Sequence, residues 1–129
     1  MTVHLIVLMI MKKVQKVWGN ELWLANTDKY CGKILNVNNG HCCSIHYHKN
    51  KDETFYILEG KIRLELFGET ITLKEGESIR LQPYSLHRFC ALENSKIIEI
   101  STHHEDSDSY RVVKSDKCDF PFKGTKERF

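Results

Sequence analysis

The fold is decided by residues 40–60, which read Gly40-His-Cys-Cys-Ser-Ile-His46-Tyr-His48-Lys-Asn-Lys-Asp-Glu53-Thr-Phe-Tyr-Ile-Leu-Glu-Gly60. Side chains on a β-strand alternate between its two faces, so His46 and His48 point to the same face. The polar run between His48 and Glu53 predicts a turn, after which an apolar strand follows. The stretch therefore predicts two adjacent strands that bring two imidazoles and one carboxylate onto one face.

These donors indicate a metal site. Imidazole and carboxylate ligands suit divalent transition metals, and Zn, Fe, Mn, Ni and Co all accept such a set. Three ligands from one hairpin leave one or two more to find, and His87 is the candidate for the fourth. The predicted metal ligands are His46, His48, Glu53 and His87. The alternative left open is an empty pocket of the same design that binds a small molecule.

Short strand-like segments recur along the whole chain, separated by turn signals such as Asn38-Asn39-Gly40 and Lys74-Glu75-Gly76. No segment shows a sustained helical period. This pattern predicts an all-β sandwich or barrel. Strands are expected at residues 16–24, 31–37, 41–47, 54–58, 61–67, 69–73, 78–81, 86–92, 96–101 and 109–113.

Residues 40–60 resemble the first motif of the cupin superfamily at every motif position. The second cupin motif, Gly-x5-Pro-x-Gly-x2-His-x3-Asn, is matched in part by residues 76–91, where Gly76 and His87 are present. The positions that depart from this motif are Gln82, Tyr84 and Ala91. The resemblance implies a double-stranded β-helix, the jelly-roll or cupin barrel, and it supports His87 as the fourth ligand.

Over most of residues 14–113 the chain is similar to small single-domain cupins related to type II mannose-6-phosphate isomerase. The matching segments include Val17-Trp18-Gly19, Tyr30-Cys31-Gly32-Lys33, His87-Arg88-Phe89 and the acidic run that ends at Arg111. The resemblance implies a sugar or sugar-phosphate ligand and isomerase-like chemistry. In such chemistry a metal polarises the sugar carbonyl while a base moves a proton between adjacent carbons.

Candidate roles follow for the acidic and basic residues. The candidate catalytic residues are Glu53, Glu99 and Arg88, with Glu53 or Glu99 as the base. The candidate substrate-binding residues are Lys33, Arg80 and Arg111, because cationic side chains bind phosphate and carboxylate groups. Arg88 and Arg111 are favoured because they occupy positions that the family shares. The alternative for each cation is a solvated surface charge.

Two other functions stay open. Three His and one Glu leave two free positions on an octahedral iron, as in several cupin oxygenases, so a non-haem metal dioxygenase fits the same ligands. The third interpretation is a non-catalytic cupin that binds a sugar or another small molecule, since one fold hosts many chemistries.

The chain has 129 residues and a formal net charge of +2, which predicts a single domain and argues against a dedicated nucleic-acid surface. Its five cysteines include no Cys-x2-Cys pair, so they do not indicate a zinc site. We predict reduced thiols in a cytoplasmic protein. Cys42 and His46 have the same parity along one strand, which predicts that Cys42 lines the barrel beside the histidines.

The N-terminal run at residues 3–11 is almost entirely apolar. It is too short to span a bilayer and lacks the basic start and the cleavage site of a signal peptide, so no membrane partner is expected. We predict that residues 1–13 form an added strand or arm that pairs with a sheet edge of this chain or of a partner. The alternative is a later translation start, at Met9 or Met11.

We predict that the barrel comprises residues 14–115 and that residues 116–129 form a C-terminal tail. Small cupins usually dimerise through edge strands, so the resemblance implies a homodimer that takes a small-molecule substrate or ligand.

Overall fold

The computed structural model describes residues 5–8 and 10–117, which form thirteen strands and one turn of 3₁₀ helix at Asp106–Asp108. The strands are β1 (Lys12–Lys16), β2 (Gly19–Asn26), β3 (Cys31–Val37), β4 (His41–Cys42), β5 (Ile45–His48), β6 (Glu53–Glu59), β7 (Lys61–Leu66), β8 (Glu69–Lys74), β9 (Ser78–Leu81), β10 (His87–Ala91), β11 (Ser95–Ser101), β12 (Ser109–Val113) and β13 (Asp116–Lys117). Among the described residues, no helix has the length and apolar character needed to cross a membrane.

The strands form two antiparallel sheets. The six-stranded sheet has the order β1-β2-β3-β11-β6-β9, and the seven-stranded sheet has the path β12-β5-β10-β4-β13. Strand β7 pairs with β10 and carries β8 on its other edge. This jelly-roll arrangement confirms the all-β prediction.

The core lies between the two sheets. On β3 and β11 every second side chain is buried, as expected of strands with one face in a core. Leu35 and Phe55 of the six-stranded sheet and Leu64 and Phe89 of the seven-stranded sheet belong to one buried cluster. Each large apolar side chain buried in this way contributes roughly 1.5–3 kcal/mol.

Two turns of the barrel require glycine. The predicted strand at residues 16–24 includes the turn of a hairpin at residues 17–18, after which β2 begins at Gly19 with a φ of +148°. A Cβ atom at Gly19 would lie 1.9 Å from the Asn36 carbonyl oxygen, so no larger residue fits there. The motif residue Gly60 has a φ of +90°, and a Cβ atom there would lie 2.2 Å from Ser95 Oγ.

A β-bulge interrupts the strand that carries the histidines. Cys42 lies opposite Cys90 and His46 lies opposite His87, so three residues on one strand face two on the other. The extra residue reverses which side chains face the cavity. Cys43 lines the cavity, and the prediction that Cys42 does so was wrong because a one-residue shift in register exchanges the two faces of a strand.

The bulge also sets the state of the cysteines. Cys42 and Cys90 are directly opposed and form a disulfide, so the prediction of reduced thiols was wrong for this pair. Cys31 and Cys43 are free and buried, and burial raises the pKa of the Cys43 thiol to about 12. The fifth cysteine, Cys118, lies outside the described residues.

The described residues that precede β1, at positions 5–8, 10 and 11, belong to no strand of this chain, and their side chains are exposed. Their pairing with a partner subunit stays a prediction, as do the bounds of the barrel. At the other end, β13 pairs with β4, so the first residues of the predicted tail extend the sheet. The rest of the tail, residues 118–129, lies outside the described residues.

Candidate metal centre

Three imidazoles converge at one end of the barrel. His46 and His48 lie on β5, and His87 lies directly opposite His46 on the neighbouring strand β10. One ring nitrogen from each of the three lies within 4.8 Å of the others. The structure therefore brings together the three histidines that the sequence predicted as ligands.

Backbone carbonyls fix the orientation of all three rings. The contacts join His46 Nδ1 to Ser44 O (2.7 Å), His48 Nδ1 to Asp108 O (3.1 Å) and His87 Nδ1 to Ser85 O (2.8 Å). A carbonyl oxygen only accepts hydrogen bonds, so each Nδ1 is the donor in its contact, and in the neutral ring this leaves Nε2 with a free lone pair. This is the tautomer that a metal ligand needs, and anchoring of the second nitrogen is a common feature of metal-binding histidines.

The protonation states also suit a metal. Burial, aided by the neighbouring His87, lowers the pKa of His46 to about 3. Burial likewise lowers the pKa of His87. These two imidazoles are therefore neutral at neutral pH, and neutral imidazole is the form that binds a metal.

Glu53 adds a carboxylate from the other sheet. Its Oε2 lies 3.3 Å from His48 Nε2 and 3.5 Å from His87 Nε2. Burial raises the pKa of Glu53, but the His48 imidazole and the charge of Lys51 outweigh burial and hold that pKa well below its usual value. The carboxylate is thus ionised beside the imidazoles.

Two buried atoms in this group lack a well-formed hydrogen bond with any described residue, namely Glu53 Oε2 and His87 Nε2. Buried polar atoms are rarely left without a partner, because an unmade hydrogen bond costs about 1–3 kcal/mol. A divalent metal held by these atoms, together with the other two imidazoles, would satisfy both. The four predicted ligands therefore fit a transition metal in donor type, tautomer and charge.

A cavity of about 80 Å³ opens beside His46, His48 and Glu53. It is smaller than the roughly 300–1,000 Å³ pockets that hold drug-sized ligands, so it suits a small polar molecule. The apolar part of its wall comes from buried core residues, including Trp18, Leu35, Phe55 and Phe89. The polar part includes Glu21, Lys33, Lys51, Glu99 and His104.

Lys51 is the centre of a buried charge network that the sequence analysis missed. Its Nζ lies 2.6 Å from Glu99 Oε2, 3.6 Å from Glu53 Oε1 and 3.0 Å from His104 Nδ1. Burial lowers the pKa of Lys51, but the Glu99 and Glu53 carboxylates outweigh it and raise that pKa above its usual value. The ammonium group therefore stays charged between two carboxylates at the edge of the ligand cluster.

The loop that carries Lys51 is fixed by a distant residue. The carboxylate of Asp108 accepts hydrogen bonds from the backbone N–H groups of Lys49, Asn50 and Lys51. Because Asp108 lies beyond β11, no local pattern in residues 49–52 signals that the loop turns inward. The sequence indicated only a polar turn.

Three of the predicted cation and base positions line the cavity. Glu99 faces it from β11, and Lys33 faces it from β3 with its Nζ 3.4 Å from Glu21 Oε1. Arg111 reaches it from β12, where it pairs opposite His46. Their roles toward a substrate stay predictions.

Two predicted residues lie outside the cavity. Arg80 is exposed and forms a two-point ion pair with Asp52, at 2.6 and 3.1 Å. Arg88 is buried, and both of its bonds, at 2.7 and 3.0 Å, go to Glu65. Successive side chains on β10 point to opposite faces, so Arg88 is directed away from the side that His87 faces. We therefore correct the assignment of both residues to the site.

Comparisons with known proteins agree with this architecture. A family model described as "Cupin domain" matches residues 34–113. The D-lyxose/D-mannose isomerase of Thermosediminibacter oceani is 31% identical over 111 residues, a match that covers 65% of this chain and 61% of that protein. The chain thus spans less than two thirds of this relative's length.

Two solved structures show the same fold. KdgF from Halomonas sp. has a TM-score of 0.68 at 22% identity, covering 77% of this chain and 90% of that one. Streptomyces PAC13 with uridine has a TM-score of 0.72 at 10% identity, covering 81% of this chain and 86% of that one. At such identities the likeness concerns the fold alone.

Proposed function

The chain belongs to the cupin domain family, and we propose that it is a metal-dependent isomerase that interconverts the aldose and ketose forms of a sugar or sugar phosphate. One observation carries the proposal: three oriented imidazoles and an ionised carboxylate meet beside a small polar cavity. The relative at 31% identity, a sugar isomerase, supports the same class of reaction.

The residues divide into ligands and a proton-transfer pair. His46, His48, His87 and Glu53 would hold the metal. When bound, a divalent metal supplies a Lewis acid that polarises the sugar carbonyl. We assign Glu53 to metal binding only, because its Oε2 faces the imidazoles of His48 and His87. Aldose–ketose interconversion also needs a base that moves a proton between C1 and C2.

Glu99 is our candidate for that base. Its carboxylate lines the cavity, and Lys51, at 2.6 Å, holds it in one position. Lys33 lines the same cavity and offers hydrogen bonds to sugar oxygens.

Isomerisation in heavy water tests the proposal. We expect the metal-loaded protein to convert D-mannose, D-lyxose or a phosphate ester of such a sugar into the ketose, with deuterium entering at C1 of the ketose, followed by proton NMR. Removal of a general base typically costs about 10²–10⁴-fold, so Glu99→Gln should lower kcat by that factor while metal content is retained. The matched control is Arg80→Gln, a substitution outside the cavity.

Other outcomes would redirect the assignment. If iron is bound and O₂ is consumed with a tested compound, the dioxygenase alternative replaces the isomerase. If sugars bind tightly and none is converted, the protein is a binding cupin. If Glu99→Gln keeps full activity, Glu99 is not the base.

We further propose that the chain forms a homodimer through the outer face of the six-stranded sheet. Leu22, Ile34, Ile98 and Tyr56 are successive neighbours across β2, β3, β11 and β6. They alternate with core-facing residues on their strands, so they form an apolar row on the outside. The apolar residues that precede β1, the edge strand of the same sheet, add further exposed apolar surface. A second copy of the chain that packs against this face would bury both apolar surfaces, which favours a homodimer.

Sedimentation equilibrium at micromolar concentration tests the dimer. We expect the mass of two chains, and we expect Ile98→Glu to shift the protein toward one. The control is Ile71→Glu on β8 of the other sheet, another strand residue with outward exposure. A single-chain mass for the unaltered protein would contradict the dimer.

The cytoplasm stays our predicted location. Disulfides persist mainly in oxidising compartments, so the Cys42–Cys90 bond weighs against it.

A further inference from the structure

A second depression adjoins the metal cavity. It has a volume of about 510 Å³ and lies along β1, beside Trp23 of β2 and Arg111 of β12. It shares Lys16, Asp106 and Arg111 with the lining of the metal cavity, so the two spaces are adjacent. We call it the basic groove, and its cations are Lys12, Lys13, Lys16 and Arg111.

The basic groove carries an excess of positive charge. Its lining holds four cations and one carboxylate, a balance of +3, whereas the whole chain has a formal net charge of only +2. That carboxylate belongs to Asp106, which already contacts His104 Nε2 at 2.9 Å. In the described part of the chain, no carboxylate lies within ion-pair distance of the four cations. Such a concentration of one sign of charge beside a cavity attracts an anion.

The positions of these cations suit one small ligand that reaches both spaces. Arg111 pairs opposite His46 in the β12–β5 ladder, and directly opposed residues have Cβ atoms about 4.5–5.5 Å apart. The flexible side chain of Arg111 therefore starts beside a metal ligand and extends toward the groove. Lys16 also borders both spaces. A single small ligand with its anionic group in the groove can thus also reach the imidazoles.

We propose that the basic groove binds the phosphate of a phosphorylated sugar whose carbonyl end reaches the metal centre. This rests on the isomerase function proposed above and narrows its substrate class. A phosphate carries about −1.5 to −2 charges at neutral pH and three acceptor oxygens, which match several cations better than a single carboxylate does. The cations at this edge select phosphorylated over neutral sugars.

The first test compares substrates. The metal-loaded protein should show a higher kcat/KM for mannose 6-phosphate than for mannose. A hydrogen bond to a charged group is worth about 1.5–3 kcal/mol, so the double variant Lys12→Gln/Lys13→Gln, which lies outside the metal cavity, should lower kcat/KM for the phosphate ester by about tenfold or more. Its kcat/KM for mannose should stay unchanged. Lys96→Gln, which removes one charge from an exposed position on β11, should alter neither value.

The second test does not depend on catalysis. Binding of inorganic phosphate to the chelator-treated protein, followed by calorimetry, should be measurable, should weaken with salt, and should be lost in the double variant but kept in Lys96→Gln. If phosphate binds in this way and no sugar is converted, the isomerase function fails while the groove assignment stands. If sugars are converted equally with and without phosphate, or a hexuronate is preferred, the groove assignment is overturned and the isomerase function stands.

Discussion

Replacing His48 with alanine should abolish stoichiometric metal binding. His48 Nε2 is buried and faces Glu53 Oε2, so its loss removes one of four donors and widens the site at its centre. Loss of groups that merely orient a ligand already costs 10–100-fold in metal affinity, so loss of the ligand should cost more than about 100-fold. Elemental analysis after dialysis against a slight excess of zinc, manganese or iron measures the effect.

A matched histidine provides the control. His103 also anchors its Nδ1 on a backbone carbonyl, that of Thr27 at 2.7 Å, but it lies outside the cavity. His103→Ala should therefore bind the same amount of metal as the unaltered protein. Circular dichroism of both variants checks that the barrel still forms. One metal per chain retained in folded His48→Ala would overturn the proposed ligand set.

Replacing Arg88 with methionine should destabilise the fold by about 3–5 kcal/mol. The Arg88–Glu65 pair is almost fully buried, with bonds of 2.7 and 3.0 Å, and the substitution leaves the Glu65 carboxylate buried without its main partner. Arg63 Nε lies farther from the same carboxylate, at 4.0 Å, and is a weaker partner than Arg88. The free energy of unfolding in urea measures the loss.

Two further variants show whether burial is the cause. Arg80→Met breaks an ion pair of equally short geometry with Asp52, but this pair is at the surface, and its loss should be far less costly. The double variant Glu65→Leu/Arg88→Met removes both charges and should regain most of the stability, because well-packed apolar residues can replace a buried ion pair. Equal losses for Arg88→Met and Arg80→Met would contradict this account.

Local alternation predicted most of the site. His46 and His48 share a face because they are two residues apart on one strand, and Glu53 follows from the short loop between neighbouring strands. The same rule applied to β10 would have excluded Arg88, since it is adjacent to His87 and points the other way. The prediction that Arg88 belongs to the site rests instead on the position that it shares with the family.

The features that sequence did not predict depend on contacts between distant segments. The bulge after Cys42 appears only when β4 and β5 are aligned with β10, and it decides that Cys43 lines the cavity. Lys51 enters the cavity because Asp108, more than fifty residues later, binds its loop. A pattern within a short stretch of sequence contains no information about either of these long-range contacts.

The ligand set also draws on both sheets. The three imidazoles belong to the seven-stranded sheet and Glu53 to the six-stranded sheet, so a metal held by all four would join the two layers of the sandwich. Metal occupancy and folding are then thermodynamically linked. Each tenfold rise in free metal above the dissociation constant would add about 1.4 kcal/mol to the stability of the folded state. Metal supply in the surrounding medium would thereby set the stability of the folded barrel.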